Sequence, residues 1–207
     1  RLFREQGFSD TTVLGHISHP VDNPAPFERR SGLLFVGALR DDGSPNVDSL
    51  LWFIVNVLPL IRAALPDIQL TVVGDNFATA LAAIELDNVT LTGRIDDIDA
   101  YYDAARVFIA PTRFAAGIPH KVHEAAGKGI PSVVKPLLAE QLSWEDGKEL
   151  LSAESAEEFA AACIRLHSDA ALWNSLQANG FAAIERDCSE AQFRNALQEL
   201  FGRETGS

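Results

Sequence analysis

The chain has 207 residues with a formal net charge of -12, and apolar residues make up 47% of it. This composition supports a sizeable folded core and argues against a disordered chain. The acidic balance argues against a nucleic-acid binder and against a protein that docks on anionic membranes. A nucleotide ligand remains compatible with it, because a local basic site can exist in an acidic protein.

Two other features of the composition bear on compartment and completeness. Cys163 and Cys188 both fall in segments with helical patterns, so we expect core thiols of a cytoplasmic protein rather than a disulfide or a metal site. No apolar run is expected to be long enough to cross a membrane, and the start has no signal-peptide pattern. The chain lacks methionine and begins with Arg1, so we expect it to be part of a longer polypeptide.

The start of the chain has the composition of a junction rather than of a domain. Thr11 to Ile17 predicts a short strand, and the proline-rich stretch 18–26 predicts an extended linker. His16 and His19 flank this linker and are interpreted as ordinary surface histidines.

Short buried strands alternate with helices from Leu33 onward. Ser44 and Pro45 have the residue types of a helix cap and a first helical position. Trp144 is interpreted as a core residue, with a pocket wall as the alternative, and 137–140 as a loop. Strands are predicted at 33–37, 69–74, 88–93, 107–110, 132–134 and 149–151, and helices at 44–65, 75–84, 98–105, 118–127, 156–168, 170–186 and 190–201.

This alternation predicts an α/β fold with a Rossmann-like, doubly wound parallel sheet and helices on both faces. Right-handed crossovers place the carboxyl ends of all the strands at one edge of such a sheet. We therefore expect Gly37, Gly74, Gly93 and the turn Ala115–Gly117 to converge on one binding crevice.

The turn and helix after the 107–110 strand contain residue types suited to a nucleotide. Gly117 permits close approach of the backbone to a ligand, and amides near Ile118 to Lys121 at the helix start favour an anion. Lys121 adds a positive charge, and Glu124 offers two acceptor oxygens for a pair of sugar hydroxyls. The alternative is that Lys121 and Glu124 form a surface ion pair worth roughly 0.2–0.5 kcal/mol.

The stretch from Ala110 to Pro131 resembles the donor-site signature of the group 1 (family 4) glycosyltransferases of GT-B fold. The matching positions are Pro111, Arg113, Gly117, Lys121, Val122, Glu124, Ala125, Gly129 and Pro131. The resemblance implies that residues 32–207 form the C-terminal, donor-binding Rossmann-like domain. Residues 1–31 would be the interdomain linker and a remnant of the missing N-terminal acceptor-binding domain.

The resemblance also implies an activity. A retaining enzyme of the hexosyltransferase type would transfer a sugar from a nucleoside-diphosphate sugar to an acceptor, in polysaccharide or glycoconjugate synthesis. Lys121 would contact the donor diphosphate and Glu124 the ribose hydroxyls, with no separate cofactor and no metal ion. This chain alone would be inactive, since the acceptor-binding half is missing.

Further donor contacts are implied for three loops, again by resemblance. The loop after the first strand would lie against the diphosphate, and the loop after the third would hold the base. The turn before the 118–127 helix would offer contacts near the sugar or phosphate. The residues concerned are Gly37 and Arg40, then Gly93, Arg94 and Ile95, then Gly117, Ile118, Pro119 and His120.

The sequence departs from the family pattern at Ala38 and Ala116, and the role of Arg94 has two interpretations. Ala38 replaces an arginine that many members carry, so Arg40 either substitutes on phosphate or is a solvated loop charge. Arg94 either contacts the base or pairs with a neighbouring aspartate. Ala116 stands where many members have a glutamate that holds the donor sugar.

Two other interpretations remain open, and the alanines at positions 38 and 116 favour the first of them. The first is a non-catalytic, degenerate GT-B domain that acts as a scaffold or a nucleotide-binding module. The second is an unrelated doubly wound domain, such as a small-molecule binder or an epimerase-like enzyme of GT-B fold.

Overall fold

The computed structural model describes residue 7 and residues 14–83, 86–114 and 118–202. In this part of the chain, one all-parallel sheet of six strands has the order β3-β2-β1-β4-β5-β6. The strands are β1 Leu33–Val36, β2 Leu70–Val73, β3 Val89–Leu91, β4 Val107–Ala110, β5 Ser132–Val134 and β6 Leu151–Ser152. The predicted doubly wound α/β fold is confirmed.

The order of the strands creates a switch point in the middle of the sheet. The chain builds outward from β1 to β3, then crosses over and builds outward from β4 to β6. β1 and β4 are therefore neighbours, with Leu33 opposite Val107 and Leu34 opposite Phe108. The connections that leave β1 and β4 run in opposite directions, which opens a crevice at their carboxyl ends.

Helices cover both faces of the sheet. They are α1 Pro45–Trp52, α2 Leu58–Ala64, α3 Asp99–Ala104, α4 His120–Gly127, α5 Pro136–Leu142, α6 Ala156–Ser168, α7 Ala170–Asp187 and α8 Glu190–Gly202. Successive strand residues alternate between two core clusters: Phe35 packs on the side of α1 and α6, and Leu34 on the side of α3 and α4. Both faces are thus buried, as expected for a parallel sheet.

α1 and α2 belong to one helical segment, Pro45–Ala64, interrupted by a π turn at Phe53–Val57. Ser44 caps its start, as predicted, by accepting the Val47 amide. Pro59 lacks an N–H and so removes one i→i−4 bond, which accounts for the wider turn just before it. The sequence pattern predicted an uninterrupted helix.

The Pro45–Ala64 segment also corrects the expectation about membrane-length runs. With 20 residues and a mean hydropathy of 1.6, it is long and apolar enough to cross a membrane by length and composition alone. However, Leu50, Phe53, Val57 and Ile61 are fully buried against the sheet. Its apolar character is therefore that of a core helix.

Two predicted elements are wrong. The helix predicted over 75–84 is replaced by an isolated bridge between Leu39 and Asn76 and a 3-10 turn at Ala80–Ala83. The Ala80 amide bonds to Asp42, which ties this segment to the loop after β1. Residues 137–140, interpreted as a loop, lie within α5. The strand predicted from Thr11 to Ile17 falls partly outside the described residues, and 14–17 is not a strand.

The segment before β1 packs against the helices of the sheet. The Ser18 amide donates to the Cys188 carbonyl over 3.0 Å, and the Val21 amide to the Gly127 carbonyl over 2.9 Å. Arg30 is 1% exposed and binds the carbonyls of Ala25 (2.7 Å), Tyr102, Ala105 (3.3 Å) and Lys128 (3.3 Å). A domain boundary at residue 31 stays a prediction, but these contacts join the preceding segment to α3 and α4.

Candidate functional site

The glycines that end the first three strands converge at the carboxyl edge of the sheet. The Gly37 amide donates to Val73 over 2.9 Å, and the Gly74 amide donates to Gly93 over 3.1 Å. Gly74 has a φ of +145°, and a Cβ at this position would lie 2.3 Å from the Gly37 carbonyl oxygen. Only glycine fits there. The fourth predicted part of the crevice, Ala115–Gly117, lies outside the described residues.

A cleft of about 300 Å³ opens where these strands end. Four of the residues predicted to bind the donor, Gly37, Arg40, Arg94 and Ile95, line this cleft. They come from the loops after β1 and β3, which are more than 50 positions apart in the sequence and lie side by side in the fold. A larger cavity, about 440 Å³, is lined by residues such as Leu33, Ala64 and His167 at the opposite edge of the sheet, away from the signature loops.

The arginines of the cleft have aspartate partners. Arg40 donates from Nε and from one terminal nitrogen to Asp75 Oδ2, over 3.0 and 2.7 Å. This bidentate contact holds Arg40 at the wall of the cleft and partly neutralises its charge. Arg94 lies 4.0 Å from Asp96, and both side chains are mostly exposed, so this pair adds little stability.

Lys121 lies at the switch point, in the first turn of α4. Its ammonium donates to Asn46 Oδ1 over 2.6 Å and lies 5.0 Å from the centre of the Phe35 ring. Burial lowers the pKa of Lys121 to about 8. Within the described residues, no ion pair joins Lys121 to Glu124, so the surface-pair alternative for these two residues does not hold.

Asn46 connects the two loops of the crevice. Its Nδ2 donates to the Ala38 carbonyl over 3.1 Å, while its Oδ1 receives the Lys121 ammonium. A Cβ on Gly37 would lie 2.9 Å from the Asn46 amide, so the glycine leaves the room that this side chain occupies. The sequence pattern predicts Asn46 in the first turn of a helix, but it does not predict the contact with a lysine 75 positions away.

Glu124 is exposed, one turn along α4 from Lys121. It lies beside Tyr102, whose pKa is raised by burial and further by the Glu124 carboxylate. Its position on α4, next to α3, places it on the side of the crevice toward the loop that is predicted to hold the base. The carboxylate is accessible to a ligand.

The end of β4 contributes two polar residues. Arg113 binds Asp48 of α1 with two hydrogen bonds, one of them 2.9 Å from Nε to Oδ2. Thr112 is buried, and its hydroxyl has no hydrogen-bond partner among the residues that the structure describes. Arg113 belongs to the predicted signature, whereas its partner Asp48 was not singled out by sequence reasoning.

The start of α4 is less open to an anion than predicted. The His120 amide donates to the Ile118 carbonyl over 2.9 Å, and Pro119, which precedes the helix, has no N–H. The rings of His120 and His16 are 4.2 Å apart, and Ile118 lines a separate pocket with His16. The structure thus places the side chains of Ile118 and His120 away from the cleft of Gly37. Gly117 lies outside the described residues.

The family model for "Glycosyl transferases group 1" matches residues 30–169, about two thirds of the chain. The chain belongs to this family. The match covers all six strands, β1 to β6, and both loops of the crevice. A curated relative is 24% identical over 181 residues: an uncharacterized 44.6 kDa protein in the cps region of Klebsiella pneumoniae. The matched part is 81% of this chain and 46% of that protein.

Solved structures confirm the GT-B type of domain. S. aureus TarM, in a complex that includes UDP, superposes with a TM-score of 0.78 at 14% identity, over 97% of this chain and 42% of TarM. The pneumococcal O-GlcNAc transferase GtfA, with UDP and GlcNAc, gives 0.70 at 17% identity over 95% and 40%. The C-terminal domain of Francisella tularensis LpcC gives 0.63 at 14% identity over 84% and 97%. This group 1 chain spans less than half the length of the Klebsiella relative, of TarM and of GtfA, and nearly all of the LpcC C-terminal domain.

Proposed function

We propose that this chain is the donor-binding part of a retaining glycosyltransferase that uses a nucleoside-diphosphate sugar. Family membership and the UDP in the TarM and GtfA structures support a UDP-sugar as the donor. The relative from a cps region supports a role in polysaccharide synthesis. A segment outside this chain would bind the acceptor.

The observation that carries this proposal is the position of Lys121. Of the basic side chains described at this edge, Arg40, Arg94 and Arg113 each pair with an aspartate, whereas Lys121 is hydrogen bonded to the neutral Asn46 amide. A partly buried cation without a carboxylate partner favours an incoming anion. Lys121 lies at the switch point, where parallel α/β sheets bind their ligands.

The crevice provides a place for each part of a nucleoside diphosphate. The base would enter the cleft beside Arg94 and Ile95, and the Glu124 carboxylate would accept hydrogen bonds from the two ribose hydroxyls. The diphosphate would then lie between Gly37 and Lys121. Arg40, fixed by Asp75, would reach its outer oxygens.

The same arrangement would assist the transfer of the sugar. As the bond between sugar and phosphate breaks, negative charge develops on the leaving diphosphate. The Lys121 ammonium would stabilise that charge from a position that is already set by Asn46 and Phe35. Such fixed charges lower the barrier most because they need little rearrangement during the reaction.

A calorimetric titration of the chain with UDP, GDP and ADP and with their sugars tests this proposal. We expect one nucleotide to bind with one site per chain, and Glu124→Ala to weaken it by about tenfold or more, because two charge-assisted hydrogen bonds are lost. Glu140→Ala, an exposed glutamate on α5, is the matched control and should bind as the unchanged chain does. Failure of all the nucleotides to bind, or equal loss in both variants, would contradict the proposal.

A further inference from the structure

A second cluster of reactive side chains lies on the opposite side of α4 from Lys121. His123 of α4, Cys188 at the end of α7 and His16 of the segment before β1 come together, and their ligand atoms all lie within 4.8 Å of one another. His123 is 6% exposed and Cys188 2% exposed. No local sequence pattern indicates this cluster, because its three members are 65 or more positions apart and the place of His16 beside a linker predicts a surface residue.

The spacing of these atoms fits a metal ion. With metal–sulfur and metal–nitrogen bonds of about 2.3 and 2.0 Å, the ligands of a tetrahedral Zn²⁺ lie about 3.3–3.6 Å apart. Cys188 Sγ and His123 Nδ1 are 3.5 Å apart, which is already this distance. His16 would need to move by about an ångström, and the pocket of about 220 Å³ that it lines with Cys188 leaves space for that movement and for a fourth ligand.

The bonding of the cluster is incomplete without an ion. His16 Nδ1 is buried and has no hydrogen-bond partner in the described part of the chain. The nearby Asp187 is engaged by Trp144 and Arg186, which leaves the two rings and the thiol as the donor set.

We propose that His16, His123 and Cys188 form a site for a thiophilic first-row divalent cation such as Zn²⁺. Two imidazoles and a thiolate are ligands that Zn²⁺ prefers, and the Cys188 proton passes to solvent as the sulfur–metal bond forms. The ion ties the segment around His16 to α4 and to the start of α8. That segment already bonds to this junction, through the Ser18 amide and the Cys188 carbonyl.

An ion bound at this site affects α4, the helix that carries the residues proposed to bind the donor. His123 is flanked on α4 by Lys121 and Glu124, so an ion at His123 holds this helix against the segment that precedes the domain. The site is distinct from the cleft of Gly37, and its occupancy is tested without any nucleotide.

Titration of the chelator-treated chain with Co²⁺, followed by Zn²⁺, tests the proposal. We expect one Co²⁺ per chain, with thiolate-to-cobalt charge-transfer absorption that Zn²⁺ abolishes by displacement. Cys188→Ala should lose this absorption, whereas Cys163→Ala, which removes the other thiol, should keep it. No absorption from the unchanged chain, or its persistence in Cys188→Ala, would overturn the proposal.

His16→Ala provides a second variant in a segment outside the core, in case the loss of Cys188 impairs folding. His16→Ala should weaken binding of the metal ion by about tenfold or more. His19→Ala, which changes an exposed histidine nearby in the sequence, should leave that affinity unchanged. Zn²⁺ should also slow hydrogen exchange of the Ser18 and Val21 amides in the unchanged chain but not in His16→Ala. Equal ion affinity in the His16 and His19 variants would overturn the assignment.

Discussion

At the scale of single residues, the proposed nucleotide site depends most on Lys121. Its ammonium is placed by the Asn46 amide and the Phe35 ring, and burial lowers its pKa to about 8. A bound diphosphate would stabilise the charged form and raise this pKa again. A bound diphosphate would thus offset the unfavourable desolvation of the Lys121 ammonium in the folded protein.

This shift predicts how nucleotide affinity depends on pH. Below pH 8 the free chain carries protonated Lys121, and from about pH 7 the diphosphate is already fully charged. The affinity for the nucleotide should therefore stay constant between pH 7 and pH 8. As pH rises through 8, the free chain loses the proton that the complex retains, and affinity should fall by up to about tenfold per pH unit. Titration calorimetry from pH 7 to higher pH measures this. In Lys121→Arg, whose charge persists, the dependence should vanish, and the same slope in that variant would contradict the assignment.

The sequence identified the signature residues but not their partners. Lys121 and Glu124 stand out because the start of a helix after a buried strand is a local feature, and Arg113 stands out through the resemblance to the group 1 signature. The contacts of Lys121 with Asn46 and of Arg113 with Asp48 join loops about 65 to 75 positions apart. Such contacts depend on the order of strands in the sheet, which no local pattern encodes. The same reason explains why His16 was assigned to the surface.

At the scale of elements, the close approach of the first two strand ends shapes the cleft. Gly74→Ala would place a Cβ 2.3 Å from the Gly37 carbonyl oxygen, at a φ that residues other than glycine rarely adopt. We expect the free energy of unfolding to fall by about 2–3 kcal/mol. Affinity for the nucleotide should also fall, because Gly37 must move.

Gly43→Ala is the matched control for this change. Gly43 lies in the loop after β1, and its nearest neighbour to an added Cβ is Asp41 at 3.8 Å, an ordinary contact. Its free energy of unfolding should change by less than about 1 kcal/mol in urea titrations. Equal stability of the two variants would show that the strand ends are not held as described.

The elements that sequence reasoning missed follow from tertiary contacts or from an overlooked local signal. The Asp75 side chain binds Arg40 instead of capping a helix, and Phe77 and Ala78 bond to the Leu39 carbonyl, so the predicted 75–84 helix does not form. By contrast, α5 has a sequence that is typical of a helix. Its first position is Pro136, and its buried residues are Leu138, Ala139 and Leu142. That helix could have been predicted from the sequence.

At the scale of the whole molecule, Arg30 joins the segment before β1 to the sheet. Its guanidinium binds four carbonyl groups, from Ala25, α3, the end of α3 and the end of α4, and lies 5.4 Å from the Trp173 ring. The sequence pattern places this residue in a linker, because nothing in an arginine beside a second arginine and a serine indicates complete burial.

Arg30→Ala should therefore destabilise the chain. We expect the free energy of unfolding to fall by about 3–5 kcal/mol, since four carbonyls lose a charged donor inside the protein. Arg29→Ala removes an exposed arginine next to it and should change stability by less than about 0.5 kcal/mol. Urea unfolding followed by circular dichroism gives both values, and similar losses in the two variants would mean that the buried contacts of Arg30 do not stabilise the fold.

The account as a whole rests on nucleotide binding at the switch point, and one comparison tests it most directly. The affinity for UDP is measured by calorimetry for the unchanged chain, for Lys121→Ala and for Lys148→Ala, a half-exposed lysine far from the crevice in sequence and paired with Glu145. We predict a single UDP site that Lys121→Ala weakens by about 10- to 100-fold and Lys148→Ala leaves unchanged. UDP affinity that is the same in all three would contradict the placement of the donor diphosphate at Lys121.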